Sequence, residues 1–354
     1  MHIPDGFVDV PTAVATGAVS LGVVACAVRK TSKNLGERTI PLLGATAAFI
    51  FAAQMLNFPV AGGTSGHFLG AILAVALLGP WAASIVMTVV LVVQALGMAD
   101  GGVTAIGANV FNMGVLAVFA GFGLFYLLKK VLPRTRSGYL ISFAVASWVS
   151  VILASAAASL ELAISGTVPL SVALPAMVSV HMIIGLGEAV IATALVAAVL
   201  AARPDLVKSF DLPLETVRRA PGQLGMRLSG RARFWSFVVG ALVVALALAV
   251  FVSPFASGSP DGLERVAADK GFETAATEQP VWRFSPLGDY QLPGLGNEKG
   301  ATAVAGLVGT VVLFALVVLV GRVLGRRRVA AAPQTAGARP IPPPGRPSDR
   351  SGTS

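Results

Sequence analysis

Charge, cysteine and histidine are all scarce in this chain, and each shortage excludes a class of protein. Only 12% of its 354 residues are charged, about half the share of an ordinary soluble domain. The single cysteine, Cys26, excludes disulfide bonds within the chain. None of the three histidines, His2, His67 and His181, lies in a His-Glu-x-x-His motif, which argues against a zinc peptidase. No Gly-x-x-x-x-Gly-Lys-Ser/Thr phosphate loop occurs either, so the chain is not expected to hydrolyse ATP.

Apolar residues, by contrast, are abundant and lie in long runs. They make up 55% of the chain, and its mean hydropathy is +0.80. Nine runs are interpreted as spans of the ~30 Å hydrocarbon layer of a membrane. They cover residues 11–28, 39–56, 67–79, 81–97, 103–128, 139–160, 172–201, 234–256 and 301–321. The sequence therefore predicts an all-α polytopic membrane protein.

The basic residues lie in short clusters between the spans. Four clusters follow the first, fifth, seventh and ninth spans, and nine spans place all four on one side, as is typical of cytoplasmic loops. The loop 257–300 has seven acidic against four basic residues and falls on the other side with the amino terminus. We therefore expect an inner-membrane protein with its amino terminus outside and its carboxy terminus in the cytoplasm. No basic domain stands apart from the spans, so nucleic-acid binding is not expected.

Changes in composition divide the chain into four parts. Residues 1–202 form a seven-span module, and residues 203–233 form a basic linker on the cytoplasmic side. Residues 234–323 form a two-span hairpin around the outside loop 257–300. Residues 324–354 are rich in proline and arginine and too poor in apolar residues to fold, so they are predicted to be disordered.

Two histidines, His2 and His67, fall at the outer face in this topology. A free α-amine on Met1, the amide nitrogen of His2 and the Nδ1 of its imidazole can reach one metal ion, because they close a five-membered and a six-membered chelate ring. The imidazole of His67 can supply a fourth nitrogen. A square-planar site of nitrogens favours Ni²⁺ or Cu²⁺, and loss of the amide proton means that binding should weaken at low pH.

This site requires that Met1 is retained, which the bulky His2 favours. Ile3 precedes a proline and is biased to an extended conformation, and Pro4-Asp5-Gly6 is typical of a turn. Together they predict a terminus that folds back into the protein. The alternative is that His2 is a stray residue in a frayed terminus.

The remaining polar candidates lie around His67 and inside the spans. Thr64 or Ser65 could hydrogen-bond the distal nitrogen of the His67 imidazole. His181 and Glu188 are seven residues apart and share one helix face. They are either functional intramembrane groups or a buried pair that fixes helix packing. Asn109 and Asn112 have the same two interpretations.

Several stretches of the chain resemble one known family, the M components of nickel and cobalt energy-coupling-factor transporters, also called the CbiM/NikM family. They are residues 1–7 (MHIPDGF), 55–60 (MLNFPV), 62–67 (GGTSGH), 78–83 (LGPWAA), 107–114 (GANVFNMG) and 181–189 (HMIIGLGEA). Residues 259–264, with their Pro-Asp-Gly-Leu-Glu sequence, 285–287 and 293–297 resemble the small N component of the nickel systems. The chain therefore resembles an M component fused to an N component.

This resemblance implies a site, partners and a fold. It implies a seven-helix module that binds the metal through the Met1 amine, the His2 amide and imidazole, and the His67 imidazole. Thr64, Ser65 and Asn57 are candidate outer contacts of this site. It implies a T-component membrane scaffold and two cytoplasmic ATPase subunits as partners. The acidic outside loop around Asp261 and Glu264 is expected to attract cations.

Together these features predict the substrate-binding subunit of an ATP-driven importer, and not an enzyme. Its substrate is Ni²⁺ or Co²⁺, with no bound cofactor or nucleotide. The planar nitrogen site and the Pro-Asp-Gly-Leu-Glu loop favour nickel, and cobalt import for cobalamin synthesis is the alternative. A channel or carrier that needs no ATPase, or an intramembrane metalloenzyme, is less favoured.

Overall fold

The structure, a computed structural model, describes residues 1–209, 229–277 and 281–330. Eleven α-helices form most of this part of the chain. In order they are α1 (Val10–Asn34), α2 (Thr39–Gln54), α3 (Ala71–Leu78), α4 (Pro80–Met98), α5 (Ile106–Asn109), α6 (Ala117–Val131), α7 (Arg136–Ile164), α8 (Leu170–Ala202), α9 (Gly230–Ala247), α10 (Gly262–Lys270) and α11 (Glu298–Ala330). A π-helical segment, Val110–Leu116, joins α5 to α6. Two short strands, β1 (Phe58–Val60) and β2 (Thr64–Gly66), pair antiparallel with Pro59 opposite Ser65.

Within the described residues, seven helical segments are long and apolar enough to cross a membrane, which confirms the predicted all-α membrane fold. They are Val10–Lys33, Pro80–Met98, Ile106–Val131, Arg136–Ile164, Leu170–Ala202, Gly230–Phe255 and Glu298–Arg326. Two of the nine predicted spans are shorter, since α2 has 16 residues and α3 has 8. Eight residues rise only about 12 Å, so the prediction of a full helical span at 67–79 is corrected.

The short helix α3 lies inside the bundle, and all of its residues are buried. Hydrocarbon contains no water to satisfy a non-helical backbone, so such a segment must be enclosed and bonded by protein groups. Both carboxylate oxygens of Glu188 accept hydrogen bonds from the amides of Leu69 and Gly70, at 2.7 and 3.0 Å. The amide of Gln54 donates to the Leu69 carbonyl at 2.9 Å. Buried polar side chains thus supply the hydrogen bonds that a helix turn before α3 would have made.

The carboxy-terminal helices pack closely on the first module. Gly309 of α11 lies against the ring of Phe51 on α2, where an added β-carbon would be 2.3 Å from the ring. Gly44 of α2 faces Phe314 and Val318 of α11 in the same way. Small residues at these crossings allow the helix backbones to approach closely, as is common between membrane helices.

The two ends of the bundle differ. At one end, the Thr167 hydroxyl in the turn between α7 and α8 donates to the carbonyl of Phe7. At the other end, Lys208 binds the carbonyl of Leu78, and Lys129 binds that of Ser209. We call these the amino-terminal end and the basic end. Most of the predicted linker (210–228) and residues 331–354 of the predicted tail lie outside the described residues, and α11 continues to Ala330.

Candidate metal site

The first nine residues fold back into the protein. Asp9 caps α1 by accepting from the Thr12 amide at 3.0 Å, so the helix begins after it and residues 1–8 are not part of α1. Ile3 is completely buried. Its amide donates to Oδ1 of Asn109 at 2.8 Å, and its carbonyl accepts from Nδ2 of Asn109 at 3.1 Å. This two-bond clamp on the backbone excludes the frayed terminus that the sequence left open.

The turn after Ile3 is fixed by Asp5. One carboxylate oxygen accepts from both the amide and the hydroxyl of Thr104, at 2.8 and 2.6 Å. The other accepts from the amide of Val281 in the carboxy-terminal module at 3.2 Å. The amino-terminal segment is therefore held between the two modules.

The hydrogen bonds between Asn109 and Ile3 hold the Met1 amine next to His67. The amine nitrogen lies 3.0 Å from Nε2 of His67. Since Nδ1 of the same ring lies 3.2 Å from the Phe68 carbonyl, Nδ1 carries the proton and Nε2 keeps its lone pair. Two nitrogens on adjacent corners of a square-planar site with bonds of ~2.0 Å would lie about 2.8 Å apart. The amine and Nε2 are thus already near the separation that a shared metal requires.

The electrostatic surroundings keep His67 neutral. Burial, followed by the positive charge of the amino terminus and the proximity of His2, lowers the pKa of His67 from 6.5 to about 3. A metal-binding imidazole must be unprotonated. At physiological pH this ring therefore needs no deprotonation before it can coordinate.

His2 lies beside His67 and has a different partner. The two rings stack with their centroids 5.2 Å apart and their planes at 21°. Nδ1 of His2 lies 3.1 Å from Oδ1 of Asp100, and its buried Nε2 has no hydrogen-bond partner among the described residues. For Nδ1 to coordinate, as the sequence predicts, it must exchange Asp100 for the metal. Burial alone would raise the pKa of Asp100, but the attraction of His2 and hydrogen bonds from His2 and Tyr290 hold that pKa below its usual range.

Asp261 reaches the same amine from the carboxy-terminal module. Its Oδ2 forms an ion pair with the Met1 amine, while Oδ1 caps α10 by accepting from the amides of Leu263 and Glu264. Glu264 completes the capping box by accepting from the Asp261 amide at 2.9 Å. Burial alone would raise the pKa of Asp261, but the amino-terminal charge and His67 hold it below its usual range. The carboxylate is therefore ionised beside the proposed ligands.

Little room remains around these groups. The cavity lined by Met1, His67, His181 and Gly262 has a volume of about 10 Å³, which holds one water molecule at most. In the part of the chain that the structure describes, no group of three or more His, Cys, Asp or Glu side chains has a metal-binding arrangement. A metal at this end would therefore depend on the amine and the backbone as well as on side chains.

The predicted outer contacts of His67 are different in the structure. The Ser65 hydroxyl binds the Ser259 carbonyl at 2.7 Å, and the Phe68 carbonyl takes the place expected for Thr64 or Ser65 beside His67. Thr64 is buried in β2. The Asn57 carbonyl accepts from the Ser257 amide at 2.7 Å. Ser65 and Asn57 thus join the two modules.

The intramembrane pairs also differ from the sequence-based expectation. His181 donates to the Met177 carbonyl one turn earlier, at 2.8 Å, whereas Glu188 bonds the residues before α3. They therefore do not act as a pair. Asn112, in contrast to Asn109, faces away from the amino terminus and donates to Glu161 at 2.7 Å.

Asp100 and Tyr290 were not predicted as site residues. Asp100 lies two residues after the end of α4, and Tyr290 lies in the acidic loop 257–300. The only signal for Asp100 in the sequence was an acidic residue at the end of a predicted span, and nothing linked Tyr290 to it. They meet because residues 282–287 dock on the end of α4 through the carbonyls of Leu96 and Gly97.

Two family models match most of this chain. The family described as cobalt uptake substrate-specific transmembrane region (CbiM) matches residues 2–206, and the PDGLE domain matches residues 235–326. A protein of Archaeoglobus fulgidus named as a fused nickel transport protein, NikMN, is 37% identical over 89% of this chain and 96% of its own length. The fused nickel transport protein NikMN of Rhodobacter capsulatus is 32% identical over 73% of this chain and 75% of its own length.

Other relatives match a smaller part of this chain. The cobalt transport protein CbiM of Sorangium cellulosum is 32% identical over 63% of this chain and 99% of its own length. A crystal structure of a transition metal transporter superposes with a TM-score of 0.52 at 33% identity, covering 63% of this chain and all of that one. The CbiM match over residues 2–206 includes both His2 and His67.

Proposed function

From the premise that this chain belongs to the CbiM family and carries a PDGLE domain in its carboxy-terminal part, we propose that it is the metal-binding membrane subunit of a nickel importer. The Met1 amine, the amide and imidazole of His2, and Nε2 of His67 bind the ion. The 3.0 Å separation of the amine and Nε2 is the observation that carries this proposal.

Nickel is favoured over cobalt by the organisation of the relatives. The two NikMN proteins are named as fused nickel transport proteins, and they cover 89% and 73% of this chain. The cobalt transport protein of Sorangium cellulosum matches 63% of this chain and 99% of its own length. A square of nitrogens also suits Ni²⁺ by geometry. Import of cobalt remains the alternative substrate assignment within the same site.

The transport is driven by partners. We propose a T-component scaffold and two ATPase subunits, which bind the basic end of the bundle, and we place the amino-terminal end outside the cell. The presence of Lys129, Lys208 and Arg203 at the opposite end supports this orientation. Single cysteines introduced into a Cys26→Ser background, labelled from either side of the membrane, test it.

The decisive experiment measures metal content by elemental analysis in the purified full-length protein. Wild type and His181→Ala, the control among the three histidines, should each retain one Ni²⁺ per chain. His2→Ala, His67→Ala and a chain with Gly-Ser added before Met1 should each lose it. Unchanged affinity after the extension would show that the amine is not a ligand. Flux by this chain alone in liposomes would contradict the requirement for ATPase partners.

A further inference from the structure

The contact that holds His2 continues beyond Asp100 into the carboxy-terminal module. Oδ2 of Asp100 accepts a hydrogen bond of 2.5 Å from the Tyr290 hydroxyl. Tyr290 accepts in turn from Nε2 of Gln94 at 3.1 Å. Because the phenol proton is committed to Oδ2, the other oxygen of Asp100 is left to accept from His2. One chain of hydrogen bonds therefore leads from the proposed ligand to the second module.

We propose that Asp100 and Tyr290 are positioning residues that orient the His2 imidazole for the metal. This inference rests on the proposed function. A coordinating imidazole gives one nitrogen to the metal and its remaining N–H to an acceptor, commonly a carboxylate, which fixes the orientation of the ring. Asp100 is that acceptor. When Nδ1 binds the metal, the ring turns so that Nε2, which now has no partner, takes over the contact with Asp100.

Tyr290 reaches Asp100 because the segment before it is anchored on α4. The indole of Trp282 donates to the Leu96 carbonyl at 2.9 Å, and the Leu287 amide donates to the Gly97 carbonyl at 3.0 Å. These carbonyls belong to the last turn of α4, where the helix itself supplies no donor. The Tyr290 ring also packs on Phe51 of α2, with the centroids 6.0 Å apart. The phenol is thus fixed relative to α4, and so is the carboxylate that follows α4.

The backbone on both sides of this contact has an unusual conformation. Among the described residues, three non-glycine residues have φ in the left-handed region: Ala99 at 55°, Asp289 at 52° and Tyr290 at 55°. Ala99 immediately precedes Asp100. Asp289 and Tyr290 are adjacent, and Tyr290 carries the phenol. Non-glycine residues rarely adopt this conformation, and such outliers gather at functional sites. All three residues therefore lie at the contact between Asp100 and Tyr290, which supports the His2 imidazole.

A purely structural role for Tyr290 makes a different prediction. In that case the ring would only fill space on α4 and α2, and its hydroxyl would not influence the metal site. Tyr290→Phe keeps the ring and removes the hydroxyl, so it separates the two roles. Tyr126→Phe makes the same change at a tyrosine that is 53% exposed on α6. It is the matched control.

The test uses the full-length purified protein in detergent and two measurements. The first is Ni²⁺ affinity by titration, with the visible absorption of the bound ion as a signature of its geometry. We expect Tyr290→Phe to weaken binding about tenfold and Asp100→Ala about tenfold to a hundredfold, as loss of such outer partners usually does. Asp100→Asn keeps an oxygen acceptor and should lose less than Asp100→Ala. Tyr126→Phe should bind as wild type does.

The second measurement needs no metal. Nitrogen NMR of the histidine-labelled, metal-free protein reports which ring nitrogen of His2 carries the proton, and only three histidines need assignment. At a pH at which the imidazole is neutral, we expect the Nδ1–H form in wild type and in Tyr126→Phe, and a mixture of forms in Tyr290→Phe and Asp100→Ala. A mixture in wild type, or no change of tautomer and affinity in Tyr290→Phe, would overturn the inference. If wild type bound no nickel, the proposed function would fail, while the tautomer would still decide the role of Tyr290.

Discussion

Gly262 lies directly against the imidazole of His181, so close that an added β-carbon would be 2.7 Å from Cε1 of the ring. This contact explains the order of residues in the Pro-Asp-Gly-Leu-Glu sequence. Asp261 starts α10 and reaches the amine, Gly262 allows α10 to approach α8, and Glu264 closes the capping box. The glycine therefore sets the distance between the second module and the site.

Replacing this glycine should separate the modules at the site. We expect Gly262→Ala to cost about 1–3 kcal/mol of stability by overpacking, and to weaken nickel binding because Asp261 moves with α10. Adding His181→Ala in the same chain should recover part of the loss. Gly258→Ala, in the same loop but with open space around it, is the control for thermal unfolding and nickel titration. A loss that His181→Ala does not relieve would show that the clash is not the cause.

The clamp on Ile3 should be required for metal affinity. Asn109→Ala leaves the buried Ile3 amide unpaired, whereas the Ile3 carbonyl keeps its hydrogen bond from the Gly102 amide at 2.8 Å. We expect a cost of about 1–3 kcal/mol, which corresponds to roughly a tenfold weaker affinity or more if it frees the terminus. Isothermal titration with Ni²⁺ measures the effect. Asn112→Ala, which loses only its bond to Glu161, should lose stability but keep its affinity. Equal affinities of the two variants would contradict the assigned role of Asn109.

Glu188 should matter for the backbone before α3 and not as a metal ligand. Glu188→Gln exchanges one acceptor oxygen for an NH₂ group that cannot accept from the Leu69 or Gly70 amide. We expect a loss of about 1–3 kcal/mol, seen as a lower midpoint of thermal unfolding, with one Ni²⁺ per chain retained. The exposed Glu37→Gln serves as the control. An unchanged midpoint would remove the support for this role.

The lowered pKa of His67 predicts how stability depends on pH. The unfolded chain protonates this histidine near pH 6.5 and the folded chain only near pH 3, so the unfolded state binds more protons in between. Stability of the metal-free protein should therefore fall as the pH is lowered through this window, by at most about 1.4 kcal/mol per pH unit from this group. His67→Gln should flatten the dependence between about pH 6.5 and about pH 4.5. A slope that is identical in wild type and His67→Gln would contradict it. Asp261 titrates below this range, because its pKa lies under the ordinary 3.8.

The limits of sequence-based prediction are clearest at the third predicted span. Residues 67–79 are as apolar as a membrane helix, and hydropathy cannot show that Gly70 starts a helix of only eight residues. The interruption is stable because Glu188 and Gln54 form hydrogen bonds with the buried backbone of Leu69 and Gly70. The bonding partners lie far along the chain, so no local pattern indicates them.

Outer contacts were harder to predict than candidate ligands. His2 and His67 were found together because few histidines occur and the topology places both at one end. The contacts around them depend on side-chain direction. The Ser65 hydroxyl binds a carbonyl of the second module, and His67 binds the carbonyl of its neighbour Phe68. Spacing along the chain does not determine these directions.

The amino-acid sequence by itself determined that the chain is a membrane protein, because apolar runs of this length are stable only in lipid. Its changes in composition indicated two modules, and its predicted topology placed His2 and His67 at one end. Only the tertiary structure decided what surrounds them. The contacts of Asp261 with the Met1 amine and of Tyr290 with Asp100 join residues 260 and 190 positions apart. Such contacts follow from helix packing and from the docking of one loop on α4, which no local pattern in the sequence encodes.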